Sequence, residues 1–218
     1  MDSTLGVAFD VLDYALLSAP GAPLKQALLD AGIGKDIYGD YSDGVLQPYF
    51  SVIAKGARAA RKEEFVSIIR NCLQDIVKNG IDKKAVLSGI NYMEFRYREA
   101  DFGQFPKGLM YGLDIMGSWL YDDENAFSQV KLLEIYDQLK IAVNEGYFEN
   151  LIQKWLLDNT HGAILTLVPK RGLAAQREKE LEEKLEAYRS SLSEEELNTM
   201  VEKTKALEAY QESDEDPE

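Results

Sequence analysis

Apolar residues recur three and four positions apart along the first thirty residues, which is the spacing of one helix face. The pattern covers residues 5–18 and 24–31, and two prolines in residues 19–23 interrupt it, because each proline disfavours helical backbone in the residue before it. We therefore predict two short helices, with Ser3 or Thr4 as the N-cap of the first.

The chain then changes from helical to strand-like spacing. Residues 37–41 and 45–55 contain many aromatic and β-branched side chains and flank Ser-Asp-Gly, a turn sequence typical of hairpins. Pro48 lies within the second run, and because proline cannot donate to a ladder we expect an edge strand or a bulge there. A third β-branched run, residues 163–168, predicts one more strand more than 100 residues later.

Helical periodicity returns between the hairpin and the third predicted strand. It predicts five further helices, over residues 61–79, 82–99, 107–120, 127–144 and 147–159. Asp82 is the predicted N-cap of the second of these. The third of these contains an unusual number of glycines, which with one preceding glycine form the series Gly103, Gly108, Gly112 and Gly117. No strand precedes them, so they are not a phosphate-binding loop, and we expect them to allow close helix packing.

Beyond Lys170 the composition becomes acidic. From Arg171 onward there are seven Lys or Arg and fifteen Asp or Glu. The resulting local net charge of −8 is more than half of the chain's net charge of −14. Two narrow apolar stripes there are separated by Ser193 and Glu196, which have the spacing of a capping box. They predict an α-helical hairpin that packs mainly against itself, ending in a disordered acidic tail over residues 212–218.

These elements predict an α+β fold: a helix-rich partial domain with a small antiparallel sheet of about three strands, followed by a long α-helical hairpin. The predicted boundaries are 1–168 for the domain, 169–211 for the hairpin linker and 212–218 for the tail. Three strands beside five or more helices leave a sheet edge unpaired, and the chain starts directly at a core helix. Both features lead us to expect a piece of a larger protein whose missing strands complete the sheet.

The charge and the cysteine content narrow the class of protein. A net charge of −14 argues against nucleic acid and against anionic membrane surfaces, because both are bound by clustered Lys and Arg. We find no apolar run near the roughly 20 residues that span a bilayer, and no secretory leader at the N-terminus. Cys72 is the only cysteine, which fits a reducing compartment, and we predict a cytoplasmic location.

No catalytic constellation is visible in the residues. His161 is the only histidine, so no histidine pair can hold a metal, and we interpret it as a turn histidine. Cys72 lies on an apolar helical stripe and is interpreted as core. The acidic runs are interpreted as loops and solvated helix faces. An aromatic series either lines a groove or, as we favour, belongs to the helical core: Tyr92, Phe95, Tyr97, Phe102 and Phe105.

The order of these segments nevertheless resembles a known family. The segments LKQALLDAGIGKDIYGDY and GARAARKEEFVSIIRNCLQDIVKNGIDKKAVLSGINYMEFRYRE resemble the C-terminal half of a homologous domain of the insulinase (pitrilysin) zinc metallopeptidases. FPKGLMYGLDIMGSWLYDDENAF and HGAILTLVPKRGLAAQREKELEEKLEAY resemble the presequence-protease branch of that family. The resemblance covers nearly the whole chain. It implies the C-terminal part of the second, non-catalytic domain, followed by the helical hairpin that joins the two halves of such enzymes.

What the resemblance implies for chemistry is limited. The family binds zinc through an H-x-x-E-H motif in its first domain, and a chain with one histidine has no such motif, so zinc belongs to the parent enzyme. The family's last domain positions the substrate carbonyl with an Arg and a Tyr seven residues later. Here Tyr38 matches that Tyr, whereas Ala31 occupies the Arg position. Tyr38 is thus the one substrate-chamber candidate, and we expect no catalytic residue and no metal ligand in this chain.

The resemblance implies a function as part of an assembly. The chain would form chamber wall and inter-half linker in a zinc-dependent metalloendopeptidase that degrades short peptides, with the remaining domains of that peptidase and its peptide substrates as partners. The acidic surface would steer basic peptides towards the enzyme. The alternative is an autonomous protein-interaction module that docks through the acidic helical hairpin.

Overall fold

The computed structural model describes residues 2–100 and 102–212, and these residues form a helix-rich α+β structure, 68% helical. The chain divides into two compact units, Met1–Leu165 and Thr166–Glu218. The first unit contains the hydrophobic core and the only sheet seen in the described residues. The domain boundaries predicted from the sequence stay predictions.

The N-terminal helices form the centre of this core. Helix α1 (Ser3–Asp13) continues as a π-helical turn, Tyr14–Ser18, and α2 (Pro23–Asp30) follows. The N-cap of α1 is Asp2 and not Ser3 or Thr4, since its carboxylate accepts hydrogen bonds from two backbone N–H groups at 3.0 and 3.2 Å. All three residue types are good caps, so the sequence pattern left the position uncertain by one or two residues.

By length and composition alone, and contrary to our expectation from the sequence, one stretch of the described residues passes as a membrane span. An 18-residue window within Ser3–Asp30 has a mean hydropathy of 1.2, but 56% of that window is buried inside the protein. Its leucines are among the most buried residues of the core, including Leu12, Leu16, Leu17, Leu24 and Leu28. This burial is typical of a core helix.

The sheet consists of strand β1 (Asp36–Ser42) and strand β2 (Tyr49–Lys55), which pair antiparallel. β2 begins directly after Pro48, so proline neither enters the ladder nor bulges it. On the inner face Tyr41 stacks on Phe9 of α1, with ring centroids 5.1 Å apart. The hairpin therefore covers α1 with one face and exposes the other.

Three longer helices follow the hairpin: α3 (Lys62–Asn79), α4 (Lys83–Glu99) and α5 (Lys107–Trp119). The Asp82 carboxylate caps α4 at the predicted position and accepts hydrogen bonds from two backbone N–H groups. The predicted helix 127–144 is divided into a 3₁₀ turn, Ser128–Val130, and α6 (Leu133–Ala142). α7 (Tyr147–Leu151) then continues as a π-helical segment, Ile152–Leu157.

The third predicted strand is absent from the described structure. Residues 163–168 have no regular backbone structure, and Leu165 and Leu167 are 82% and 85% exposed. A strand exists only through pairing, and β1 and β2 pair only with each other. The count of about three strands was therefore too high by one.

The second unit contains α8 (Leu173–Ser191) and α9 (Glu194–Glu212). The capping box at its turn is present, because the Ser193 N–H donates to the Glu196 carboxylate and the Glu196 N–H donates to the Ser193 hydroxyl. Neither helix has a buried residue over its described length, so the self-packing expected of the hairpin is not observed. Of the predicted tail, Glu212 ends α9 and residues 213–218 lie outside the described residues.

Candidate functional site

Tyr38, the residue chosen from the sequence, lies on the exposed face of the hairpin. Its side chain is 42% exposed and stands opposite Ile53 of β2, which is also exposed. Tyr49 is exposed on the same face, four residues from Ile53 along β2. Alternation along the strands places Ile37 and Tyr41 on the opposite, inner face. Tyr38 is therefore available for contact, as a chamber residue must be, but no described polar side chain is hydrogen-bonded to it.

Ala31, at the position of the family's arginine, is the C-cap of α2. Its carbonyl accepts a hydrogen bond of 2.8 Å from Arg61, and the same guanidinium donates to the Gly32 carbonyl at 2.7 Å. Arg61 is held in turn by the Glu64 carboxylate at 2.6 and 2.7 Å. The arginine near Ala31 thus closes the end of a helix. The sequence did not indicate these bonds from Arg61 to the end of α2, because they join residues about 30 positions apart. Only the pair Arg61 and Glu64, three residues apart, has a spacing that a sequence pattern can indicate.

A group of carboxylates lies where α1 meets the hairpin. Burial raises the pKa of Asp10 to about 7, with the charges of Asp43, Asp13 and Asp40 adding to the effect. The Asp13 Oδ1 atom is buried without a hydrogen-bond partner among the described residues. Repulsion between like charges and loss of water both favour the protonated acid. Asp10 is consequently a proton-binding group near neutral pH, which no pattern in the sequence indicated.

None of these groups forms a metal site. Among the described residues no cluster of three or more His, Cys, Asp or Glu side chains has the arrangement of a metal site. His161 is exposed, and its backbone N–H donates to the Asn159 side chain, as expected of a turn histidine. Cys72 packs against the core and is half-buried, as its position on the stripe predicted.

A surface cavity of about 300 Å³ lies beside the N-terminus of α1. Its two carboxylates are already engaged, since Asp2 caps α1 and Asp122 accepts hydrogen bonds from Glu124 and Asn125. The remaining lining is mainly apolar or phenolic: Leu5, Tyr41, Leu46, Pro48, Gly117, Ser118 and Tyr121. The cavity offers no nucleophile paired with a base, and therefore no catalytic centre.

The two remaining expectations concern packing. Of the aromatic series, Tyr97 packs against the core, whereas Tyr92, Phe95 and Phe105 are exposed and do not belong to it. The glycines 103, 108, 112 and 117 have no heavy atom within 4 Å of where a side chain would begin, so they allow no close packing here. Helix periodicity identified the stripes, but it does not say whether a second surface is present to cover them.

Comparisons with known proteins bear on what this arrangement does. Residues 167–218 match the sequence profile of a family described as associated with peptidases of family M16, subfamily C. The chain is 40% identical to "Protein HypA" of Clostridium perfringens over 210 residues, which are 96% of this chain and 22% of that protein. It is 31% identical to "Presequence protease 1, chloroplastic/mitochondrial" of Arabidopsis thaliana over 223 residues, 100% of this chain and 21% of that protein. It is 23% identical to "Presequence protease, mitochondrial" of Xenopus laevis over 211 residues, 93% of this chain and 20% of that protein.

These similarities relate the chain to a stretch of M16-type peptidases. The chain spans about a fifth of the length of the curated relatives it matches.

Proposed function

We propose that this chain is a non-catalytic structural part of a zinc-dependent metalloendopeptidase of the presequence-protease branch, which degrades short peptides. The observation that carries the proposal is the 31% identity to a presequence protease over 100% of this chain, although the match includes only 21% of that relative. A stretch of this kind contributes to a larger enzyme. The rest of that enzyme would supply the zinc site.

The two units have different roles in this proposal. Residues 1–168 are the C-terminal part of the second domain and form chamber wall, with the exposed Tyr38 as the chamber candidate. Residues 169–211 are the linker between the two halves. The match of residues 167–218 to a peptidase-associated family of their own supports a separate role for this second unit.

The residues present do not fit a zinc ion. Zinc sites in proteins use Cys, His, Asp and Glu ligands, and this sequence has a single histidine and a single cysteine. No group of three or more such side chains in the described residues is arranged so that it could hold a metal ion. Zinc in the parent enzyme is therefore assigned to residues outside this chain, and no catalytic step is assigned to residues of this chain.

The test is the gene's complete reading frame and its product. We expect an H-x-x-E-H helix encoded before residue 1 and a second, similar half encoded after residue 218. The full product should cleave short peptides, and the 218-residue chain alone should not. A reading frame without the zinc motif, or peptide cleavage by the isolated chain, would overturn the proposal.

Electrostatic steering of basic peptides is a further part of the proposal. The net charge of −14 is supporting evidence, since long-range attraction raises association rates and is screened by salt. The kcat/KM of the full product for a basic peptide should fall with ionic strength, and that for an acidic peptide of equal length should not. An equal dependence of kcat/KM on ionic strength for the two peptides would contradict electrostatic steering.

We also propose a cytoplasmic location, supported by the single free Cys72. The printed names of the presequence proteases place those relatives in mitochondria or chloroplasts. In cell fractionation the full product should be recovered in the cytoplasmic fraction, and recovery in an organelle fraction would contradict this proposal.

An interaction module is the second candidate. It is favoured by one observation, the exposure of the apolar stripes on α8 and α9, which include Leu181, Leu185, Met200 and Leu207. If the reading frame contains no peptidase half, these stripes are the docking element of this second function.

A further inference from the structure

Helix α5 exposes its hydrophobic residues and buries a polar one. Leu109, Leu113 and Leu120 are each more than half exposed, and Met116 is exposed as well. They follow one another at intervals of four, three and four residues, which places them on one side of the helix axis. The one buried residue of α5 is Ser118, whose hydroxyl donates to the Ala126 carbonyl at 2.7 Å. We refer to the surface of Leu109, Leu113, Met116 and Leu120 as the α5 face.

The α5 face is bordered by glycines that have room beside them. Gly108 and Gly112 lie on one flank of the stripe, and no heavy atom is found within 4 Å of a Cβ built at either. A helix gives up stability at each glycine, roughly 1 kcal/mol relative to alanine. The absence of side chains is useful where another backbone approaches closely, and no described residue does so at these positions.

No described residue of the first unit covers this face. α5 packs mainly against the short segments Asp123–Asn125 and Ser128–Val130, and none of its residues belongs to the core cluster. Charge is almost absent as well, because Asp114 is the only charged residue between Lys107 and Asp122 in a chain that is 28% charged. A surface that covers the α5 face must therefore be apolar and uncharged as well.

We propose that the α5 face is an internal interface of the parent peptidase, covered by an apolar, uncharged surface from the part of that enzyme outside these 218 residues. This inference rests on the proposed function and names the contact through which the chain is held in the enzyme. The relatives are about five times as long as the stretch they share with this chain, so most of the enzyme's surface lies outside it. A second copy of the chain is the competing occupant.

The experiment measures how accessible the face is in the isolated chain and in the full product of the reading frame. Leu113→Cys is made in a Cys72→Ala background, together with Lys107→Cys as a matched control at the N-terminal end of the same helix, on its opposite side. Each is labelled with a thiol reagent under native conditions. We expect Leu113→Cys to react at least 10-fold more slowly in the full product than in the isolated chain. Lys107→Cys should react at similar rates in both.

Two substitutions at the same position provide a second readout. Leu113→Asp should leave the melting temperature of the isolated chain within about 1 °C, because the side chain is exposed there. In the full product it should lower the melting temperature by roughly 5 °C or more, since a charge enters an apolar contact. Leu113→Met keeps the α5 face apolar and should change the melting temperature of neither the isolated chain nor the full product.

The outcomes separate this inference from the proposed function. Equal labelling of Leu113→Cys in an active full product overturns the α5 interface and leaves the proposed function standing. Protection of Leu113→Cys in the isolated chain that increases with concentration identifies a second copy as the occupant and also overturns it. A reading frame without peptidase halves overturns both.

Discussion

The carboxylate of Glu94 on α4 accepts a hydrogen bond from the ammonium group of Lys140 on α6, 46 residues later in the chain. Arg98, one helical turn along α4, donates to the same carboxylate at 2.6 and 2.8 Å. Glu94 is buried, and its charge is balanced by these two cations, of which Lys140 ties α4 to α6.

Removing this charge should destabilise the first unit. Glu94→Gln should lower the free energy of unfolding in urea by about 1–2 kcal/mol at pH 7, as expected when charge-assisted hydrogen bonds become neutral ones. The hydrogen bonds from Lys140 and Arg98 hold the pKa of Glu94 below its usual range. The native state therefore binds this proton more weakly than the unfolded chain, and the stabilisation is complete above about pH 4.5 and is lost as the pH falls through the native pKa. Glu99→Gln, exposed on the same helix, is the control and should change stability by less than about 0.5 kcal/mol.

Asp10 should have the opposite pH dependence. Its pKa is raised to about 7 by burial and by Asp43, Asp13 and Asp40, so the native state binds its proton more tightly than the unfolded chain. Stability from this group is present below about pH 4 and is lost as the pH rises towards 7 and beyond. Asp10→Asn should therefore raise the midpoint of urea unfolding at pH 8 and change it little at pH 4. Asp36 is exposed, and Asp36→Asn is the control. If Asp36→Asn also raises the unfolding midpoint at pH 8 but not at pH 4, the effect cannot be assigned to the raised pKa of Asp10.

Gly39 in β1 has less room for a side chain than any other glycine of the described residues. A Cβ there would collide with the Leu17 side chain and with Asp13 Oδ1, and would lie 3.1 Å from the Ser51 carbonyl. Gly39→Ala should therefore lower the free energy of unfolding by about 1–3 kcal/mol, the usual range for overpacking. Gly44→Ala is the matched control, since no atom lies within 4 Å of its Cβ position. If the two variants unfold at the same urea concentration, the packing of β1 on the π turn is wrong.

Cys72 should be a slow thiol. Burial, and to a smaller extent the charge of Asp75, raises the pKa of Cys72, and the thiolate is the reactive form. Labelling with Ellman's reagent at pH 8 should be slow in the native chain and at least 10-fold faster in urea. Asp75→Asn should increase the native rate slightly, whereas a native rate equal to the unfolded one would show that Cys72 is not held against the core.

The isolated chain should not bind zinc stoichiometrically. Its sequence contains one histidine and one cysteine, too few for the ligand sets of structural or catalytic zinc. Elemental analysis after dialysis should find well below one zinc per chain. The full product of the reading frame, treated in the same way, is the positive control for the proposed enzyme.

Local signals were predictable from the sequence, and contacts between distant segments were not. The caps at Asp82 and Ser193 were identified correctly because a capping carboxylate or hydroxyl and its N–H partners lie within three residues of each other. The bond from Arg61 to the Ala31 carbonyl joins residues 30 apart, and no spacing rule indicates it. The pKa of Asp10 depends on burial, which only the folded structure determines.

The same distinction explains the wrong strand. The apolar, β-branched run at residues 163–168 has the composition of a strand, but composition does not supply a pairing partner. The glycines of α5 present the same problem, because close packing requires a second surface.

The π-helical turn at Tyr14–Ser18 has a consequence for insertions and deletions. Its hydrogen bond runs from the Ala19 N–H to the Tyr14 carbonyl at 2.7 Å, across five residues, and the widened turn buries Ala15, Leu16 and Leu17 together. Loss of one residue here would convert the turn to α-helical geometry and rotate everything before it by about 100° relative to everything after it. Side-chain truncations in this segment leave a cavity, but a change of length would turn α1 away from α2 and the sheet. Homologous chains are therefore expected to vary here in residue type and to keep the number of residues constant.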